Sequence, residues 1–144
     1  MIARETIYAA LFTRVAAAAP FVTVARRLRH WSDVAPAEQP ALFMRQKIET
    51  AAGAERGTPT VWAMAVELSI YAHADDPYVA PATVLNPLVD AVEAALAPLA
   101  ATGVQDLGLP DMVRHACIAG KIEITEGVLR DQAVAVIPIE ILCL

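Results

Sequence analysis

Three histidines, two cysteines, two serines and an adjacent pair of aspartates are the side chains in this sequence whose types could do chemistry. His30, His73 and His115 are scattered, with no H-x-x-x-H or C-x-x-C spacing, and His115 with Cys117 on one face of a strand supplies two ligands where a tetrahedral metal site needs four. Ser32 and Ser69 lie outside any G-x-S-x-G elbow, so no nucleophile is poised for acyl transfer. Asp75 and Asp76 could act as paired carboxylates or hold a cation, but an Asp-Asp-Pro run more commonly ends a strand and begins a turn. Neither a G-x-x-x-x-G-K-[ST] loop nor a G-x-G-x-x-G after a strand is present, so both common phosphate cradles are missing. The expectation is therefore no catalytic residue, no metal and no cofactor. Trp31 and Trp62 read as core or interface anchors rather than stacking platforms.

Composition turns attention to assembly. Hydrophobic residues make up 57% of the 144-residue chain and charged residues 19%, against roughly 45 to 50% and about 25% in typical soluble domains. A membrane is one cover for the excess, but a spanning helix takes about 20 apolar residues, and the longest candidate, Val61 to Ala72, is interrupted by Glu67 and bounded by Pro59 and Asp75. Arg14 inside the N-terminal apolar run argues against a signal peptide. Subunit interfaces, which resemble a core cut in half, are the favoured cover. A net charge of −5 gives no general attraction for nucleic acid; Arg26, Arg27, Arg29 and His30 form the one basic cluster, read as a solvated strand end or an interface patch. Cys117 and Cys143 are expected as core thiols rather than a disulfide.

The elements that would position these residues follow from periodicity. Ile7, Leu11 and Val15 recur every four residues and predict a helix over Arg4 to Ala18, closed by Pro20. Phe21 to Arg29 and Ala41 to Lys47 read as strands separated by a Pro-containing loop, the second pairing antiparallel with the first or the third. Thr50 to Pro59 reads as a protruding, mobile hairpin loop. Trp62, Met64, Val66, Leu68 and Ile70 then alternate with Ala63, Ala65, Glu67, Ser69 and Tyr71. The even face of that strand should meet helices, and the small, mixed odd face could meet a neighbouring subunit. Leu85, Leu88, Val89, Val92, Leu96 and Leu99 form the stripe of a second helix. Met112 to Glu126 and Asp131 to Cys143 read as a closing hairpin joined around Gly127. The expected fold is one α+β domain over residues 1–144, an antiparallel or mixed sheet packed against two helices in the order α-β-β-β-α-β-β.

Several runs carry a resemblance. Arg29-His30-Trp31-Ser32-Asp33-Val34, Gln39-Pro40-Ala41-Leu42-Phe43, and Trp62 with Leu68-Ser69-Ile70-Tyr71 are similar to the tail terminator (minor tail, tail-completion) proteins of long-tailed phages and gene transfer particles. Leu85-Asn86-Pro87-Leu88-Val89-Asp90-Ala91-Val92 resembles that family's helix. His115 to Glu123 and Asp131 to Ile139 resemble its closing hairpin. Leu107-Gly108-Leu109-Pro110 departs from the pattern, which has a second glycine before the hairpin.

The resemblance implies a virion protein, assembled in the host cytoplasm, that forms a ring, usually hexameric, at the head-proximal end of the tail. Such a ring stops tail-tube polymerisation and meets the tail tube protein and the head-tail connector, while DNA passes through its lumen without specific binding. The acidic balance suits such a lumen. Candidate interface residues are Arg29, Trp31, Phe43, Lys47, Glu49, Glu55, Arg56, Trp62 and Tyr71, with the loop from Gln46 to Thr60 expected to reach the tube or the next subunit. The alternatives are a head-completion or neck adaptor protein and, from another class, a small ligand-binding domain or enzyme, for which His115, Asp75 and Tyr71 would have to line one deep pocket.

Overall fold

The computed structural model describes residues 2–53 and 55–144. Helix α1 (Arg4–Ala16) buries Ile7, Tyr8, Leu11 and Val15, the four-residue spacing placing them on one stripe. Helix α2 (Ala82–Ala95) buries Leu85, Leu88 and Val92, and contains Pro87 within it at the cost of one i→i−4 hydrogen bond. Both helices pack on one face of a sheet formed by β1 (Thr23–Ala25), β2 (Ala41–Ala52), β3 (Val61–His73), β4 (Val113–Ile118), β5 (Glu123–Leu129) and β6 (Gln132–Cys143). The strand order is β1-β2-β3-β6-β4, with β5 also paired to β6. The class is α+β with a mixed sheet, as expected, and the sheet holds six strands rather than five.

The even face of β3 meets the helices: Met64, Val66, Leu68 and Ile70 are all buried in the main core with residues of α1 and α2. Each such aliphatic side chain stabilises the fold by roughly 1.5 to 3 kcal/mol relative to exposure.

Four local expectations need correction. The first strand spans three residues, not Phe21 to Arg29, and runs parallel to β2. A parallel neighbour demands a crossover of a dozen or more residues, and the 26–40 segment is that crossover, containing two short 3-10 turns at Trp31–Asp33 and Pro36–Glu38. The second strand continues to Ala52 and pairs antiparallel with β3 from Ala41↔Tyr71 to Ala52↔Val61, so the loop expected over Thr50 to Pro59 shrinks to the 53–60 segment, of which Ala54 lies outside the described residues.

The C-terminal run divides. β4 ends at Ile118 and β5 begins at Glu123, because β6 carries Pro138 between the two pairings. Proline donates no ladder hydrogen bond; its carbonyl accepts from the Ala119 N–H at 3.0 Å. Gly120 takes φ 120° against the proline ring, where a Cβ would sit 3.3 Å from Pro138 Cγ. The hairpin turn falls at Arg130–Asp131, with Arg130 at φ 59°, while Gly127 lies in an irregular stretch of β5.

Within the Leu107-Gly108-Leu109-Pro110 run, where the resemblance leads one to expect a second glycine, Leu107 adopts the left-handed conformation that glycine would favour, φ 57°. Burial of its side chain and a 3.1 Å bond from its N–H to Gln105 Oε1 hold it there.

Candidate subunit interface

The face of the sheet turned away from the helices carries the odd residues of β3, and the register sets Ala63, Ala65, Glu67, Ser69 and Tyr71 opposite Leu142, Glu140, Pro138, Val136 and Val134 of β6. The crossover segment covers one end of it. Val34 packs there with Ala41, Phe43, Tyr71 and Val134 in a second, smaller core, against which Trp31 is half-buried. The Phe43 and Tyr71 rings lie 5.3 Å apart at 47°. The Tyr71 hydroxyl donates to the Arg29 carbonyl at 2.6 Å, and burial pushes its pKa up.

Arg29 clasps the same segment from outside. Its guanidinium donates to Glu38 through two bonds of 3.2 and 3.1 Å and to the Asp33 carbonyl at 2.6 Å. The Arg29 bond, and then the Ala35 N–H, hold the Glu38 carboxyl below its ordinary range, while Glu38 raises the Arg29 pKa in return. Phe43 and Tyr71, expected at an interface, are thus enclosed inside the subunit, and Arg29 serves the covering segment. Ala63, Ala65 and Glu67 are half-buried beyond its reach.

The β2–β3 hairpin is organised by a bulge. Gln46 pairs with Val66 and Glu49 with Met64, so β2 spends one residue more than β3 over this step. An extra residue reverses which side chains face the helices, and Glu49 arrives on the α1 side. There its Oε2 accepts from Arg4 Nε at 2.6 Å and its Oε1 from the Tyr8 hydroxyl at 2.8 Å. Arg4 lies 4.9 Å from the centroid of Trp62. The arginine, followed by the tyrosine bond, holds the Glu49 carboxyl below its usual range; burial and Glu49 together push the Tyr8 hydroxyl up.

On the opposite face Glu67 accepts from Arg45 at 2.8 Å and lies 3.8 Å from Lys47 Nζ. Ile48 in the bulge is 67% exposed. Glu55 and Arg56 are exposed at the tip, where Thr58 closes a turn onto the Glu55 carbonyl. Arg4, Tyr8 and Arg45 were not among the candidate interface residues, and Glu67 entered only as a member of the odd face of β3; the four-residue spacing of Arg4 and Tyr8 on α1 was the available signal.

The residues with chemical potential stay apart. His115 Nδ1 accepts from the Gln105 N–H at 3.0 Å, Asp75 meets His73 at 2.8 Å, and Tyr71 is engaged with Arg29, so His115, Asp75 and Tyr71 line no common pocket. Both thiols are free; burial raises each pKa, with Glu140 adding to the effect at Cys117 and Glu49 at Cys143. Among the described residues no three His, Cys, Asp or Glu side chains gather as a metal site. Two open grooves run along the helices. One of about 680 Å³ is lined largely by Ala9, Ala10, Ala17 and Ala18, and one of about 460 Å³ carries Asp90 and Glu93 of α2. No described helix is long and apolar enough to cross a membrane.

The fold has a solved counterpart. A chain from the "Virion of native gene transfer agent (GTA) particle" matches with a TM-score of 0.58 and 13% identity, covering 94% of this chain and 92% of that one. No protein-family model and no curated protein matches the sequence. At that identity the likeness is one of fold.

Proposed function

We propose that this chain is a structural virion protein whose work is assembly: a subunit of a ring, hexameric in the family it resembles, seated on the last ring of a tail tube. There it ends tube polymerisation and offers its other surface to the head-tail connector. The observation that carries this reading is the likeness of fold, nearly end to end, to a chain of a gene transfer agent virion. Two features support it. The half-buried stretch of sheet around Ala63, Ala65 and Glu67 has no helix over it, and the side chains able to catalyse are dispersed into hydrogen bonds within the subunit.

In this role the residues divide by task. Phe43, Tyr71 and Arg29 hold the crossover segment in shape, Glu49 and Trp62 brace the base of the hairpin against α1, and Lys47, Glu55 and Arg56 are presented outward for the tube or the next subunit. The ring passes DNA without binding it specifically, in keeping with the net charge of −5.

The test is tail morphology. Particles assembled without this chain, viewed by negative stain, are expected to show overlong or unfinished tubes separated from heads. Tubes of normal length joined to heads would overturn the tail-end role, and tubes of normal length without heads would move the chain to the neck.

A further inference from the structure

If subunits form a ring, one patch of each must meet a different patch of the next, and the two outer edges of this sheet carry patches of opposite character. At the β1 edge Val22 is 60% exposed, Val24 41% and Leu28 40%. Arg26 and Arg29 there are paired with Glu5 and Glu38, while exposed Arg27 has no ion-pair partner among the described residues. At the far edge Tyr78 is 96% exposed and Val128 76%, accompanied by Val79, Val84 and Ile124. These are gathered because the Ala82 N–H at the start of α2 donates to Glu126 of β5 at 3.3 Å, bringing the 75–84 segment against that strand.

Asp75, Asp76 and Glu123 are exposed around this second patch, beside Arg130. Among the described residues, these two groups contain eight of the ten large apolar side chains that remain exposed, three at the first edge and five at the second. Exposed apolar side chains concentrated in this way point to an interaction site.

We infer that the β1 edge of one copy docks on the β5 edge of the next, the apolar residues meeting in the middle and Arg27 facing the acidic rim of Asp75, Asp76 and Glu123. The occupant of each edge is a second copy of this chain, because Arg27 of one edge, unpaired among the described residues, meets an excess of exposed carboxylates at the other, where Asp75, Asp76 and Glu123 outnumber Arg130. The register adds a geometric reason. Thr23 pairs with Ala41, Ala41 with Tyr71, Tyr71 with Val134 and Val134 with Thr125, so both edges lie in one row across the sheet. They are separated by four strand spacings, about 19 Å. Lying at opposite ends of one row, the two patches can each meet a different neighbour at once, as a head-to-tail ring requires. This inference rests on the ring proposed above and names the surfaces that close it.

The experiment blocks one edge at a time. Val22→Asp spoils the first edge and Val128→Asp the second, both at exposed positions where far-UV circular dichroism and thermal unfolding should match the wild type. Each variant alone is expected to sediment as a 15.3 kDa monomer, with association weakened ~30-fold or more, as loss of an interface hot spot does. Mixed one to one, they retain one intact pair of edges and should give a species of twice that mass and no larger. If both variants still form the wild-type multimer, this inference fails while the ring stands. If the wild-type chain is monomeric both in solution and on isolated tails, the ring itself fails.

Discussion

Replacing Tyr71 with Phe removes a single oxygen, the one whose hydrogen donates to the Arg29 carbonyl at 2.6 Å. The ring and its 5.3 Å contact with Phe43 remain, so packing of the second core is preserved. What changes is that a part-buried carbonyl loses its partner. Leaving such a group unsatisfied costs about 1 to 2 kcal/mol. A chain of 144 residues has an unfolding entropy of roughly 0.3 kcal/mol per kelvin near its midpoint, so Tm should fall by about 3 to 7 °C. Thermal circular dichroism at dilute concentration reads this directly. Because the 26–40 segment continues from β1, the variant should also exchange the amide protons of that segment faster by local opening, while those of β3 and β6 speed up only by the loss of global stability. A Tm within about 1 °C of wild type, with unaltered exchange, would refute the idea that this bond secures the covering segment.

Other perturbations separate the core, the hairpin and the surface. Ile70→Ala empties a fully buried site of the main core and should cost about 2 to 5 kcal/mol in urea-monitored unfolding. Glu49 is held below its ordinary range by Arg4 and Tyr8, so its contribution is present above the unfolded glutamate pKa of about 4.3 and is lost as pH falls through the lower folded value. Glu49→Gln should therefore flatten the acid limb of a plot of urea midpoint against pH, and an unchanged slope below pH 5 would count against the pairing. Substituting Asn-Gly for the 53–60 segment should leave Tm nearly unchanged while disturbing tail length; normal tails and infectivity would relieve the tip of any role in assembly.

Three elements were legible in the sequence because their burial is periodic: Ile7, Leu11 and Val15 on α1, the even residues of β3, and Leu85, Leu88 and Val92 on α2. Each packs against one uniform neighbour, so local spacing carries the whole signal. β2 was cut short because Arg45, Gln46 and Lys47 interrupt its apolar run where the bulge reverses its faces, and the residues beyond are mostly exposed. The break between β4 and β5 depends on Pro138, a residue of the partner strand, which no local pattern in residues 112–126 announces. Phe43 and Tyr71 were expected at a subunit interface, because what covers them, the Val34 segment folded back over them, is a long-range contact that periodicity does not encode. The odd face of β3 was legible as small and mixed, and the structure divides it between that cover and an uncovered stretch.

The most direct test of an assembly role is where the chain sits in a particle. Gold-labelled copies, imaged on purified tails and on whole particles, should appear as a single cluster of several copies at the head-proximal tube end. Label on the capsid portal alone, scattered along the tube, or absent from particles altogether would contradict the account.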